Sequence, residues 1–172
     1  QMILLTNGFQ PEPGTQLVTK ADNAMDNDYF NTLLDGAGGP MTWDFSDRTY
    51  ATETVSEIVN PVSTPQIGMF PDANLVMRTT FANDTSWTVF SSESSYFWQL
   101  GEVSHSAGSG EEVIIYQDST PNYVFPIAFG DQWSSHRYFE QGDDPDLYME
   151  IYDTTFYNVD AWGTVVYGNK SL

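Results

Sequence analysis

Apolar and polar residues alternate with a period of two along most of this chain, and the alternating runs are bounded by Gly, Pro, Asn and Asp. Helical periodicity is nearly absent. Residues 16–19 predict a short strand. Residues 41–45 place Met41, Trp43 and Phe45 on one face, and residues 49–59 place Ala51, Val55 and Val59 on one side of a strand whose other face is wet. Three prolines in residues 60–71 predict a crossover loop. Residues 75–81 turn Leu75, Met77 and Phe81 inward, and residues 86–92 set Trp87 and Val89 against Thr88 and Phe90.

The second half continues the pattern. Residues 96–103 form the most aromatic strand, and residues 112–117 read as a buried one. Pro126 interrupts residues 123–129, which predicts an edge or a kink. Residues 132–140 set Trp133, Ser135, Arg137 and Phe139 against Ser134, His136 and Tyr138. Residues 147–159 predict a long strand with a bulge near Asp153, and Gly163 to Tyr167 begins one more. Only residues 21–34 are ambiguous between helix and loop. Many short strands with turn signals between them argue for an all-β fold, an antiparallel β-sandwich of jelly-roll or Ig-like kind. Residues 1–172 read as one domain that stops before its sheet does. The expected consequence is an open edge at Gly163 to Tyr167, completed by a partner chain, a second copy or a downstream segment.

Composition sharpens this picture. Eleven Phe, ten Tyr and five Trp supply a packed core, which argues against disorder despite a net charge of −19. Only five residues are basic against 24 acidic ones, a balance that repels nucleic acid and anionic lipid. There is no Cys, which removes thiol catalysis and Cys-based metal sites. No apolar run approaches the roughly 20 residues of a membrane-spanning helix. Gln1 in place of an initiator Met points to a processed mature end, and with it to a secreted or cell-surface protein.

Four segments in order resemble the N-terminal region of secreted Bacteroidota proteins exported by the type IX system. They are Pro11-Glu12-Pro13-Gly14-Thr15, the stretch Gly38-Gly39-Pro40-Met41-Thr42-Trp43-Asp44-Phe45-Ser46, Phe129-Gly130-Asp131-Gln132-Trp133, and Asp160-Ala161-Trp162-Gly163-Thr164. The resemblance implies an extracellular β module of uncharacterised function. It brings no catalytic residues, and the C-terminal sorting domain of such proteins is not within these 172 residues.

Candidate chemistry is sparse. Asp143, Asp144 and Asp146 crowd one turn around Pro145, a spacing that can aim oxygens at Ca²⁺, although the same acids also make an ordinary solvated turn. The two histidines, His105 and His136, sit in no nucleophile-bearing motif. Glu102, Glu112, Glu140 and Glu150 lie near aromatic residues and offer the paired carboxylates of glycoside hydrolysis, as most β proteins would. Trp43, Trp87, Trp98, Trp133 and Trp162 belong either to the core or, if a row is exposed, to a glycan-stacking surface. The reading that results is a non-enzymatic extracellular β-sandwich module for adhesion, structural assembly or ligand binding. The alternative is a carbohydrate-binding module or a piece of a polysaccharide-active enzyme.

Overall fold

The computed structural model describes residues 4–5, 11–21, 38–44, 52–142, 148–167 and 170–171. Strands form where the alternation runs uninterrupted, and their ends fall at turn residues. In chain order they are β1 (Leu4–Leu5), β2 (Gln16–Ala21), β3 (Gly38–Asp44), β4 (Thr52–Val59), β5 (Leu75–Phe81), β6 (Asp84–Glu93) and β7 (Tyr96–Ser106). After these come β8 (Gly110–Ile115), β9 (Tyr123–Val124), β10 (Ile127–Ala128), β11 (Gln132–Gln141), β12 (Met149–Asn158), β13 (Ala161–Tyr167) and β14 (Lys170–Ser171). The expected all-β architecture is what forms, and among the described residues its strands pair antiparallel except β13 with β3.

The main sheet runs in the order β2-β4-β5-β6-β7-β8, with β9 on the same edge of β7 as β8. It curls into a half-barrel. The β11–β12 hairpin continues it, because Gln117 and Tyr138 exchange both main-chain hydrogen bonds, at 2.7 and 3.0 Å. Among the described residues the strand pairings make this curled sheet and small flanking pairs; they do not close a second sandwich layer.

The main core lies on one face of the sheet. Val76, Val89 and Gly101 stand in register across three strands, as do Trp87, Val103 and Val113. Val76, Val89 and Val103 are fully buried there beneath Phe70, which is 4 % exposed. Phe70 comes from residues 60–71, which do not cross over. They join the neighbouring strands β4 and β5 through two 3₁₀ turns, Pro61–Ser63 and Ile67–Met69, and the Asn60 side chain accepts from Val62 N at 3.1 Å. The prolines thus shape a lid over the sheet. Gly101 makes room for it. A Cβ there would sit 2.7 Å from the Phe70 ring and collide with the Ile114 carbonyl.

Several inward-facing assignments change. Phe81 is 73 % exposed beside the Ala82–Asn83 turn, Leu75 is buried as expected, and Val76 is fully buried on the other face of β5. In β4, Val55 is exposed while Ser56 and Ile58 are buried. The two β4 faces are therefore both partly covered, and the buried Ser56 hydroxyl is satisfied by Thr79 Oγ1 at 2.7 Å. The bulge expected at Asp153 is absent. The β11–β12 ladder runs without a register shift from Gln132 opposite Asn158 to Gln141 opposite Met149.

The edge expected to be free at Gly163 to Tyr167 is paired along one side, and on both sides at Val166. β13 pairs in parallel with β3, and at Val166 and Tyr167 it pairs with β14 on its other side. Sequence separation hid β3, which lies more than a hundred residues upstream. This pairing puts two of the four resemblance segments side by side, with Thr164 opposite Thr42 and Val165 opposite Trp43. The other two act as ties. Gly14 N donates to the Ile58 carbonyl, and Gly130 N donates to the Val159 carbonyl, both at 2.8 Å.

The close approach at Gly101 generates a prediction. Gly101→Ala should lower unfolding free energy by about 1–3 kcal/mol through overpacking, and Phe70→Ala by about 3–5 kcal/mol through cavity formation. Urea midpoints at constant slope measure both. An unshifted midpoint for either variant would remove Phe70 from the core.

Candidate functional site

The face of the sheet opposite Phe70 carries polar side chains in a connected row. A register shift creates it. Val89 faces Gly101 but Phe90 faces Gln99, so Leu100 is an extra residue. The shift brings Gln99 and Glu102, three positions apart, onto the same face. Gln99 Nε2 donates to Glu102 Oε1 at 2.9 Å and to Tyr116 Oη at 3.3 Å. Tyr116 Oη donates to Glu102 Oε1 at 3.2 Å.

The junction between Gln117 and Tyr138 then sets the next contact. With those two residues opposite each other, their neighbours Tyr116 and Arg137 meet, and the guanidinium carbon lies 4.6 Å from the Tyr116 ring centre. Arg137 is directly opposite Asp153 in the hairpin. Its Nε and Nη2 both lie 3.0 Å from Asp153 Oδ2. The result is one chain of contacts, Gln99–Glu102–Tyr116–Arg137–Asp153, spanning four strands' width.

Beside this row lies a cavity of about 210 Å³, lined among others by Gln99, Asn122, Ser135, Arg137, Asp153 and Thr155. The segment leading out of β8 walls it. Asn122 Oδ1 accepts from Gln99 N at 2.7 Å, His136 N donates to Thr120 Oγ1 at 3.0 Å, and Ser119 Oγ accepts from Trp98 Nε1 at 2.9 Å. Aromatic rings flank it. Trp133 and Tyr157 stack at 4.8 Å with an 8° interplanar angle. Tyr123 contacts both, and Phe97 and Phe90 extend the group onto the main sheet. Trp133 Nε1 donates to the Asn122 carbonyl at 2.8 Å, which pins the ring to the cavity wall.

Burial, reinforced by the Glu102 charge, pushes the Tyr116 phenol up to about 12. The phenol therefore stays a donor throughout the neutral range. Burial also raises Tyr123.

The sequence candidates are distributed as follows. His136 lines the cavity rim. His105 is exposed on β7 opposite Glu111, and nothing unites the two histidines. Glu102 faces the polar row, Glu112 accepts from Gln141 at 3.0 Å, and Glu140 stands opposite Glu150 on the hairpin. Trp87 packs on the core, whereas Trp98 and Trp133 donate into the cavity wall. Trp43 and Trp162 lie on β3 and β13, and their side chains are outside the described set. Asp143, Asp144 and Asp146 lie outside the described residues; among those described, no three His, Cys, Asp or Glu side chains converge as a metal group. No described helix is long and apolar enough to cross a membrane.

Sequence reasoning missed Gln99, Tyr116 and Asp153 as site residues. One signal was present: Arg137, one of five basic residues, alternates onto the face shared by Trp133 and Phe139, and a cation on an aromatic face calls for partners. No family model, no curated protein and no solved structure matches this chain.

The raised Tyr116 phenol predicts that its own ring resonances titrate near pH 12, whereas ultraviolet absorbance would sum it with the raised Tyr123, Tyr138 and Tyr148. The protonated form is favoured by folding, so stability from this group is complete below pH 10 and is lost between pH 10 and 12. Glu102→Gln should move that titration downward. A titration of the Tyr116 ring resonances that is unchanged in the variant would contradict the assigned contact.

Proposed function

We propose that this chain is a non-enzymatic binding module of a secreted or cell-surface protein, and that its polar cavity takes one unit of a neutral carbohydrate. The observation that carries this reading is the Arg137–Asp153 pair at the cavity wall, with Oδ2 of Asp153 accepting from Arg137 Nε and lying 3.0 Å from Nη2 in an ion pair. Such a pair offers a hydroxyl-rich ligand both a charged donor and a charged acceptor, while its own charges offset each other. Asn122, Gln99, Ser135 and Thr155 add groups that donate and accept. The Trp133–Tyr157 stack supplies the apolar ring surface that sugar rings pack against.

The chemistry of the surroundings disfavours other ligand classes. Glu102 and the overall charge of −19 work against anions. A cavity of about 210 Å³ is below the usual range for large organic ligands, roughly 300–1,000 Å³. The two carboxylates facing the row already accept from Tyr116, Gln99 and Arg137, an arrangement suited to holding a ligand rather than to trading protons with it. The secreted location rests on the four resemblance segments. Adhesion or assembly is the biological setting such a module serves. Ca²⁺ at Asp143, Asp144 and Asp146 rests on their spacing alone.

Calorimetry against neutral mono- and oligosaccharides tests the cavity. Binding of at least one neutral sugar is expected, with uronic or sialic acids weaker. Asp153→Asn should weaken binding by about tenfold or more, the loss of a charge-assisted hydrogen bond. Preference for acidic sugars, or an Asp153→Asn variant that binds as the parent does, would refute the reading. For the acidic turn, millimolar Ca²⁺ should raise the melting temperature and a chelator should reverse it. An unchanged melt, with the triple Asp143→Asn, Asp144→Asn, Asp146→Asn variant equally stable, would dismiss a structural ion.

A further inference from the structure

The opposite face of the β11–β12 hairpin, turned away from the cavity, holds aromatic rings in water. Tyr152 is 75 % and Phe156 81 % exposed, and they stand four residues apart on β12 with Tyr148 on the same side. Across the ladder Tyr138 stacks on Tyr152 with ring centres 4.6 Å apart. Single exposed rings need no explanation, whereas several spaced along one strand face, with Tyr138 stacked across from Tyr152, mark a contact surface. The rings belong to a regular ten-pair ladder, so the surface is held rigid without any ligand.

Charge identifies what such a surface would take. Glu140 and Glu150 stand directly opposite each other on this same face, both exposed. Like charges in that position destabilise a ladder until something of opposite charge lies between them. Tyr138 Oη donates to Glu140 Oε1 at 2.7 Å, and the Tyr148 hydroxyl also bonds that carboxyl, which fixes it beside the rings and holds it below its ordinary titration range. A neutral sugar would leave the two carboxylates opposed, and an anion would be repelled. A guanidinium suits both halves, since it lies flat on a ring face and forks onto a carboxylate. The chain itself has only five basic residues to offer against 24 acids.

We infer that the outer face of this hairpin docks an arginine-bearing segment of a partner protein, with one guanidinium seated by Tyr152 and paired with Glu140 and Glu150 and another lying on Phe156. The surface is independent of the sugar-binding cavity, which lies on the other side of the same two strands.

The test is binding of an arginine nonapeptide, read by fluorescence anisotropy at about 0.15 M salt, where the Debye length of about 8 Å screens diffuse attraction. Tyr152→Ser with Phe156→Ser leaves the net charge unchanged and should weaken binding about tenfold or more, as should Glu140→Gln with Glu150→Gln. Glu12→Gln with Asp72→Asn removes the same charge elsewhere and should stay within about twofold of the parent, as expected for screened, distant charges. In parallel, amide shift mapping on the unmodified chain should place the peptide on residues 138–140 and 148–156, a result that does not depend on any variant's folding. Full binding by the ring variant, an equal loss in the remote charge variant, shifts confined to other surfaces, or no binding by the parent would each overturn the proposal.

Discussion

The pair of main-chain hydrogen bonds between Gln117 and Tyr138 is the joint on which this molecule depends. On one side of it stands a meander whose strands pair with their sequence neighbours. On the other stands a regular hairpin. A two-stranded hairpin alone is marginal in water; ties from Thr120 to His136, Asn122 to Trp133 and Glu112 to Gln141 also hold it, and the Gln117–Tyr138 pair sets their register. With it, the pleat of β8 carries into β11, and Tyr116 is obliged to face Arg137. The polar row, the cavity and the outer aromatic face all inherit their positions from that register, because a slip of one residue would exchange the two faces of the hairpin.

The two faces of the main sheet divide the work. One is dry: Val76, Val89 and Val103 lie under Phe70, and Gly101 is the position at which the lid comes closest to the sheet. The other is polar, and it stays satisfied because a single bulge at Leu100 aligns Gln99 with Glu102. Buried polar groups raise stability only when their partners are present. Here Glu102 accepts from two donors and Asp153 from one guanidinium, so the row is rigid before any ligand arrives.

Much of this was legible in the alternation. Strands at residues 16–19, 75–81, 86–92, 96–103 and 132–140 follow from period-two patterning, and the inward pairing of Trp87 with Val89 follows from the same rule. What the pattern hid was non-local. The parallel pairing of β3 with β13 joins segments more than a hundred residues apart, so Gly163 to Tyr167 read as a free edge. Proline-rich residues 60–71 read as a crossover because nothing local says that Phe70 folds back onto its own neighbours. The bulge at Leu100 has no residue signature, and it alone makes Gln99 a site residue. Arg137 was visible as a cation on an aromatic face. Its partners Tyr116 and Asp153 became visible only once the strand register was known.

The central claim is the junction that turns Tyr116 toward Arg137, and nuclear magnetic resonance tests it most directly. Nuclear Overhauser contacts should connect the Tyr116 ring protons to the Arg137 side-chain methylenes, with the latter shifted upfield by the ring they lie against, and the amides of Gln117 and Tyr138 should exchange slowly with solvent. Arg137 methylenes at random-coil shifts, with fast exchange at both amides, would contradict the account.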